Sequence, residues 1–141
     1  MRGRSNNRPW RGDQSGAVAV EFALLSPVLM IMMVGILVWG QYFWVAHTVQ
    51  QVANNAARAA LAGLDPAERV SLAREAMDSE VADYATLRPQ AADIGVDSLS
   101  DRIIVSVRYD TAGDAFRALD GLVPSPPKMI TRQAAVRLGG Y

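Results

Sequence analysis

The 141-residue chain contains no cysteine and a single histidine, His47. A disulfide framework is therefore excluded, and so is a thiolate-bound zinc. One imidazole and no serine at a nucleophile-like turn leave nothing from which to assemble a catalytic triad. Charge is also missing where most proteins have it: between Glu21 and Arg58 there is no Asp, Glu, Lys or Arg. The zero net charge conceals three unlike segments. Residues 1–16 carry Arg2, Arg4, Arg8 and Arg11 against Asp13, residues 17–57 carry Glu21 alone, and acidic and basic side chains are interspersed beyond. No basic stripe is available for nucleic acid, and no nucleic-acid partner is expected.

What fills the uncharged interval is hydrocarbon. From Phe22 to Val45 the chain reads FALLSPVLMIMMVGILVWGQYFWV, longer than the roughly 20 apolar residues a membrane-spanning helix needs. A cleavable secretory signal has an apolar stretch of only about 7–15 residues, so the small-x-small sites in AARAALAG lie too far downstream for ordinary signal cleavage. Trp39, Tyr42, Phe43 and Trp44 cluster at the far end and form the expected interfacial belt. Arginines before the span and none directly after it predict an N-terminus in the cytoplasm and the remainder outside. Pro27 falls inside the run. It frees the carbonyl of Ala23, and a kink or loosened turn is expected there, with the Ser26 hydroxyl at hand to assist.

Helical periodicity continues past the membrane. Val45, Val49, Val52, Ala56 and Ala60 recur at steps of three and four, with His47, Gln51, Asn54, Asn55 and Arg58 on the opposite side. One rod from about residue 17 to 62 would be roughly 70 Å long. Ala53, Ala56, Ala57, Ala60 and Gly63 are small enough to admit another helix. Gly63 stops the rod, and DPAE restarts helix with Asp65 as N-cap, Pro66 at the first position and Glu68 closing a capping box. That second helix is expected to run to about Leu87, with Val70, Ala73, Met77, Val81 and Tyr84 along one face and Pro89 ending it.

Strand character follows. RIIVSVRY alternates Ile103, Val105, Val107 and Tyr109 against polar residues. IGVDSL is a weaker partner strand, GDAFRALDGL a short helix and VPSPP an extended linker. KMITRQAAVRL is a last strand with Ile130, Ala134, Val136 and Leu138 inward, though Arg132 breaks the pattern. The expected fold class is α+β: a long N-terminal helix, transmembrane then periplasmic, followed by a helix and a small antiparallel sheet. The domain divisions are 1–16, 17–63 and 64–141. Domains of about 60 residues are marginal by surface-to-volume scaling, so the outer half of the long helix is expected to cover one sheet face and complete the core.

Glu21 is the awkward residue. At the mouth of the apolar run it either snorkels to the inner interface in a first helical turn that favours negative charge, or it has a partner. The residues before it supply the second reading. A basic leader, Gly16, then Ala-Val-Ala-Val-Glu-Phe resembles a type IV prepilin processing site, and an aromatic residue after the glutamate resembles the Flp/Tad subgroup. GAVAVEFALLSPVLM resembles the N-terminal signature of the TadE-like pseudopilin family, and IIVSVRYD and MITRQAAVRL resemble its C-terminal strands.

The resemblance implies that a prepilin peptidase cuts between Gly16 and Ala17 and removes the leader. It implies that Glu21, fifth in the mature chain and followed by Phe22, pairs with the new amino group of a neighbouring subunit. The implied function is a pilin-like minor pseudopilin in assembly or initiation of a Tad/Flp pilus, serving adhesion. The implied partners are the prepilin peptidase, other Tad pilins and pseudopilins, inner-membrane platform proteins and membrane lipid. The implied location is the bacterial cytoplasmic membrane or a pilus. No cofactor, metal or small-molecule substrate is expected. The major Flp pilins are mostly one helix, so the additional α+β portion here points to a minor component. Two other readings stand beside this one. The chain is alternatively an uncleaved single-pass protein with an external binding or scaffold domain, or a membrane-tethered hydrolase using Glu75, Asp78 and Asp83.

Overall fold

The computed structural model describes residues 14–139. Of the leader, residues 1–13 with the four arginines and Asp13 lie outside the described residues, as do residues 140–141. Helix α1 spans Gln14–Ala60 without interruption, about 70 Å at 1.5 Å per residue. Pro27 lies inside it. The Ser26 hydroxyl donates to the carbonyl of Ala23 at 3.4 Å, the group that proline leaves without its usual backbone donor.

The chain leaves α1 in a tight turn in which Gly63 N–H bonds Ala60 O at 3.2 Å. A β-carbon on Gly63 would lie 2.7 Å from Arg69 N and 3.0 Å from its Cα, so glycine is required by close backbone approach. Helix α2 spans Pro66–Asp83. Asp65 caps it by accepting from Glu68 N–H at 2.8 Å, and the Glu68 carboxylate accepts from Leu64 N–H at 2.7 Å. The box thus closes one residue outside the cap. The helix ends four residues short of the expected Leu87. Tyr84 turns to extended backbone as the C-cap, its hydroxyl donates to Gln51 on α1, and Leu87 drops into the core beyond the turn. Burial of Leu87 outweighs one more helical turn, and Pro89 plays no part in stopping α2.

Three strands follow: β1 (Ala92–Ser98), β2 (Arg102–Asp110) and β3 (Met129–Arg137). They form an antiparallel meander in the order β1-β2-β3, with Val96 opposite Val105 and Val105 opposite Ala134. Ile103, Val105, Val107 and Tyr109 are all sealed inside, as their alternation requires. On β3 Ile130 and Ala134 are buried, while Arg132 sits half-buried on the same inward parity. The expected short helix before β3 is a 3-10 turn over Ala115–Leu119, preceded by another over Thr111–Gly113.

The core lies between this sheet, α2 and the outer half of α1. Val45, Val49, Val52, Ala53, Ala56, Ala57 and Ala60 are all buried, and His47, Gln51, Asn54, Asn55 and Arg58 all face out. The small-residue face read from the sequence as room for another helix is filled by the chain's own α2 and sheet. That face of the outer rod is therefore not open to a neighbouring subunit. The long helix supplies what so small a sheet lacks, a second wall for its core.

Candidate assembly segment and membrane-proximal head

Two halves of α1 live in different surroundings. From Gly16 to Met33 every described side chain is exposed except the half-buried Ser26, and Phe22, Leu24 and Met30 are about two-thirds or more bare. A surface helix in water would be apolar on one face only. This one is apolar all round, which is the pattern of a helix solvated by lipid. It is long and apolar enough to cross a membrane.

Glu21 stands exposed in this bare segment. It lies seven residues after Gln14, the first described residue of α1. Among the described residues it makes no ion pair or side-chain hydrogen bond. Phe22 beside it is equally bare. Gly16 and Ala17 lie within the first turn of α1. No heavy atom lies within 4 Å of where a Gly16 β-carbon would be, so the fold itself places no demand for glycine there.

The aromatic cluster divides. Trp39 and Tyr42 are half-buried against the head, and Phe43 and Trp44 are exposed. The Trp39 ring meets Tyr42 edge-on at 5.9 Å, and its indole N–H donates to Pro124 O at 3.1 Å. The head therefore reaches down α1 well below Trp44. Val34 packs against the core, and Val123 comes within contact range of Gly35. Sequence reading missed this downward reach, because VPSPP carries no periodicity that ties it to α1.

The membrane-proximal end of the head is tied together by two polar knots. In the first, the sealed Tyr109 donates its hydroxyl proton to Asp114 Oδ1 at 2.9 Å and accepts from Arg88 N–H at 3.2 Å. The Arg88 side chain bonds the same carboxylate at 3.1 Å and Asp110 O at 2.6 Å. Burial pushes the Tyr109 phenol above its ordinary value; the Arg88 N–H opposes this and the Asp114 carboxylate reinforces it. A phenol that holds its proton more tightly when folded contributes stability that is complete below the unfolded value of about 10 and declines as pH rises through the folded one. Tyr109→Phe is expected to cost about 1–2 kcal/mol at neutral pH. It should also flatten the decline above pH 10, checked by thermal melts across that range in both proteins.

The second knot is Arg117, which bonds Thr111, Pro126 and Pro127 and faces Asp120. An open cleft of about 610 Å³ lies between α1 and this end of the head, lined by Leu37, Val38, Gln41, Arg88, Phe116 and Leu119 among others. Among the described residues no cluster of three or more His, Asp or Glu suited to a metal occurs. Glu75 and Asp78 lie exposed on α2, as does Asp83 at its end, and none of them lines the cleft.

A single helix long and apolar enough to cross a membrane, bare below and clasped above by a small α+β head, fits a single-pass membrane protein. Comparison with known families finds a likeness over one segment: the family model described as TadE-like protein is similar to residues 16–58. The match covers most of α1 and stops before α2. No curated protein and no solved structure matches the chain.

Proposed function

We propose that this chain is a minor pseudopilin of a Tad pilus, processed after Gly16, whose Glu21 carboxylate pairs with the α-amino group of Ala17 on a neighbouring subunit. The observation that carries the proposal is Glu21 itself. It is the only formal charge between residues 17 and 57, it is exposed on a helix segment that is otherwise bare hydrocarbon, and nothing in the described fold uses it. An ionised group in the middle of a membrane helix costs about 2.5–3.5 kcal/mol on insertion scales and less towards an interface. A newly exposed ammonium, cationic at neutral pH by its reference value of about 7.7–8.0, would offset that cost and set the register of one helix against the next.

Gly16 fits the processing step on two grounds. A peptidase must unwind the first turn of α1 to reach the bond, and glycine lowers helix stability by roughly 1 kcal/mol relative to alanine. The absence of a side chain also lets the enzyme approach the backbone closely. Removal of the arginines would release the N-terminus from the cytoplasmic surface. In this reading the protein is not an enzyme; its partners are the prepilin peptidase, other Tad pilins and the inner-membrane platform, and its head lies outside the cytoplasm.

The alternative is an uncleaved single-pass scaffold, and the unbroken helix across Gly16 is the observation that favours it. Intact mass decides between them. In cells with the native peptidase the mature protein should begin at Ala17, and Gly16→Phe should leave a precursor heavier by 16 residues. A wild-type protein that retains Met1, or a mature-sized product from Gly16→Phe, would remove the processing claim.

A further inference from the structure

The head carries a turn packed against α1 near Gly35 and Trp39. After the 3-10 turn Ala115–Leu119 the chain reverses at Gly121, whose φ of +96° is in the left-handed region that favours glycine. The turn is held in place. Leu122 N–H bonds Leu119 O at 3.2 Å, Asp120 and Val123 form a bridge, and Trp39 on α1 holds Pro124 O. Asp120 is the one charged residue in the tip, and its carboxylate faces the Arg117 guanidinium at 3.6 Å. Leu122 is nevertheless 64% exposed. A single exposed leucine is ordinary on a protein in water. Its level along α1 is what makes this one different.

That level follows from helix geometry. Val123 packs beside Gly35. A hydrocarbon layer of about 30 Å takes 20 helical steps. If it begins at Ala17 it ends at Leu37, and if it begins at Phe22 it ends at Tyr42. Under either placement Gly35, and the turn packed on it, lie below the outer boundary of the hydrocarbon. Trp39, with a polar edge bonded to the turn and an apolar body, is the residue type that favours the boundary itself.

We infer that the turn Leu119–Pro124 is a membrane-inserting element: Leu122 enters the outer leaflet of the bilayer beside α1, and the head rests on lipid in one fixed orientation. The occupant of the surface around Leu122 is phospholipid, continuous with the lipid around the bare half of α1. The inference rests on α1 spanning the membrane and does not depend on processing or on the Glu21 pairing.

The absence of native cysteine allows single-site labelling of the full chain in vesicles of phosphatidylcholine and phosphatidylglycerol. An environment-sensitive fluorophore would be placed at L122C, at M30C in the bare helix, and at L64C. Leu64 is apolar and even more exposed, at 89%, but it lies beyond the far end of α1. With nitroxide-labelled lipids, emission from L122C should be blue-shifted and quenched most by nitroxides near the headgroup. M30C should be quenched most by nitroxides deep in the acyl chains, and L64C by neither. If M30C is quenched while L122C behaves like L64C, the turn does not meet lipid and the inference is overturned with the span intact. If M30C also escapes quenching, the span itself fails and the inference fails with it.

Discussion

Glu21→Ala should insert into the membrane as well as the wild type does, or better, and yet fail to support pili. Insertion depends on apolarity, and replacing a carboxylate by methyl within the apolar segment removes a penalty of up to about 2.5–3.5 kcal/mol. Assembly would lose a partner for the Ala17 ammonium. Removing one member of a desolvated pair leaves the other charge uncompensated, at a cost of about 3–5 kcal/mol. At 1.4 kcal/mol per factor of ten, the low end of that range is a drop of more than about a hundredfold in incorporation. Glu21→Gln keeps the size and hydrogen-bonding capacity and should share the defect; Glu21→Asp keeps the charge and should recover part of the function. Surface pili counted in the native host, together with the intact mass of each variant, separate an assembly defect from a processing one. Wild-type pilus numbers in a fully processed Glu21→Gln strain would sink the pairing.

The two ends of this protein differ in how much their residues disclose. The β2 alternation from Ile103 to Tyr109 and the DPAE restart of α2 are local signals, and the sheet and the helix stand where those signals put them. The Ser26–Pro27 pair is equally local, and its hydroxyl bonds the carbonyl that the proline frees. The end of α2 was not legible in this way, because it is decided by contacts distant in sequence. Tyr84 reaches Gln51, and Leu87 enters a core built partly by α1. The alanines from Ala53 to Ala60 show a second limit. Small residues at helical spacing announce close packing but not the identity of the neighbour, which here is the chain's own head. Glu21 is the reverse case. Its oddity is plain from the sequence, and the fold adds that no described residue answers it. The downward reach of the head to Gly35 left no trace in periodicity, since Val123 and Pro124 belong to a proline-rich stretch without a repeat.

That stretch depends on one side chain, and Arg117→Met should show it. The Arg117 side chain is 7% exposed. It donates to Pro126 O at 2.7 Å and to Thr111 Oγ1 at 3.1 Å, bonds Pro127 O as well, and lies 5.1 Å from the centre of the Phe116 ring. Prolines cannot donate hydrogen bonds, so a segment rich in them cannot fold by backbone pairing with itself. Its carbonyls need a donor from elsewhere, and Arg117 supplies several from one planar group. Methionine keeps much of the stem's packing but none of the donors, and leaves Asp120 without its counter-charge. Hydrogen bonds to charged groups contribute about 1.5–3 kcal/mol each and are not additive, so a loss of about 3 kcal/mol is expected. For a head of this size that corresponds to a Tm lower by roughly 10–20 °C. Lysine, with a compact charge and no fork, should rescue only part of it. Faster amide exchange confined to residues 111–128, with α1 still protected, would identify the loop as the part released. A melting temperature within a degree or two of the wild type would show that these carbonyls find water as good a partner as Arg117.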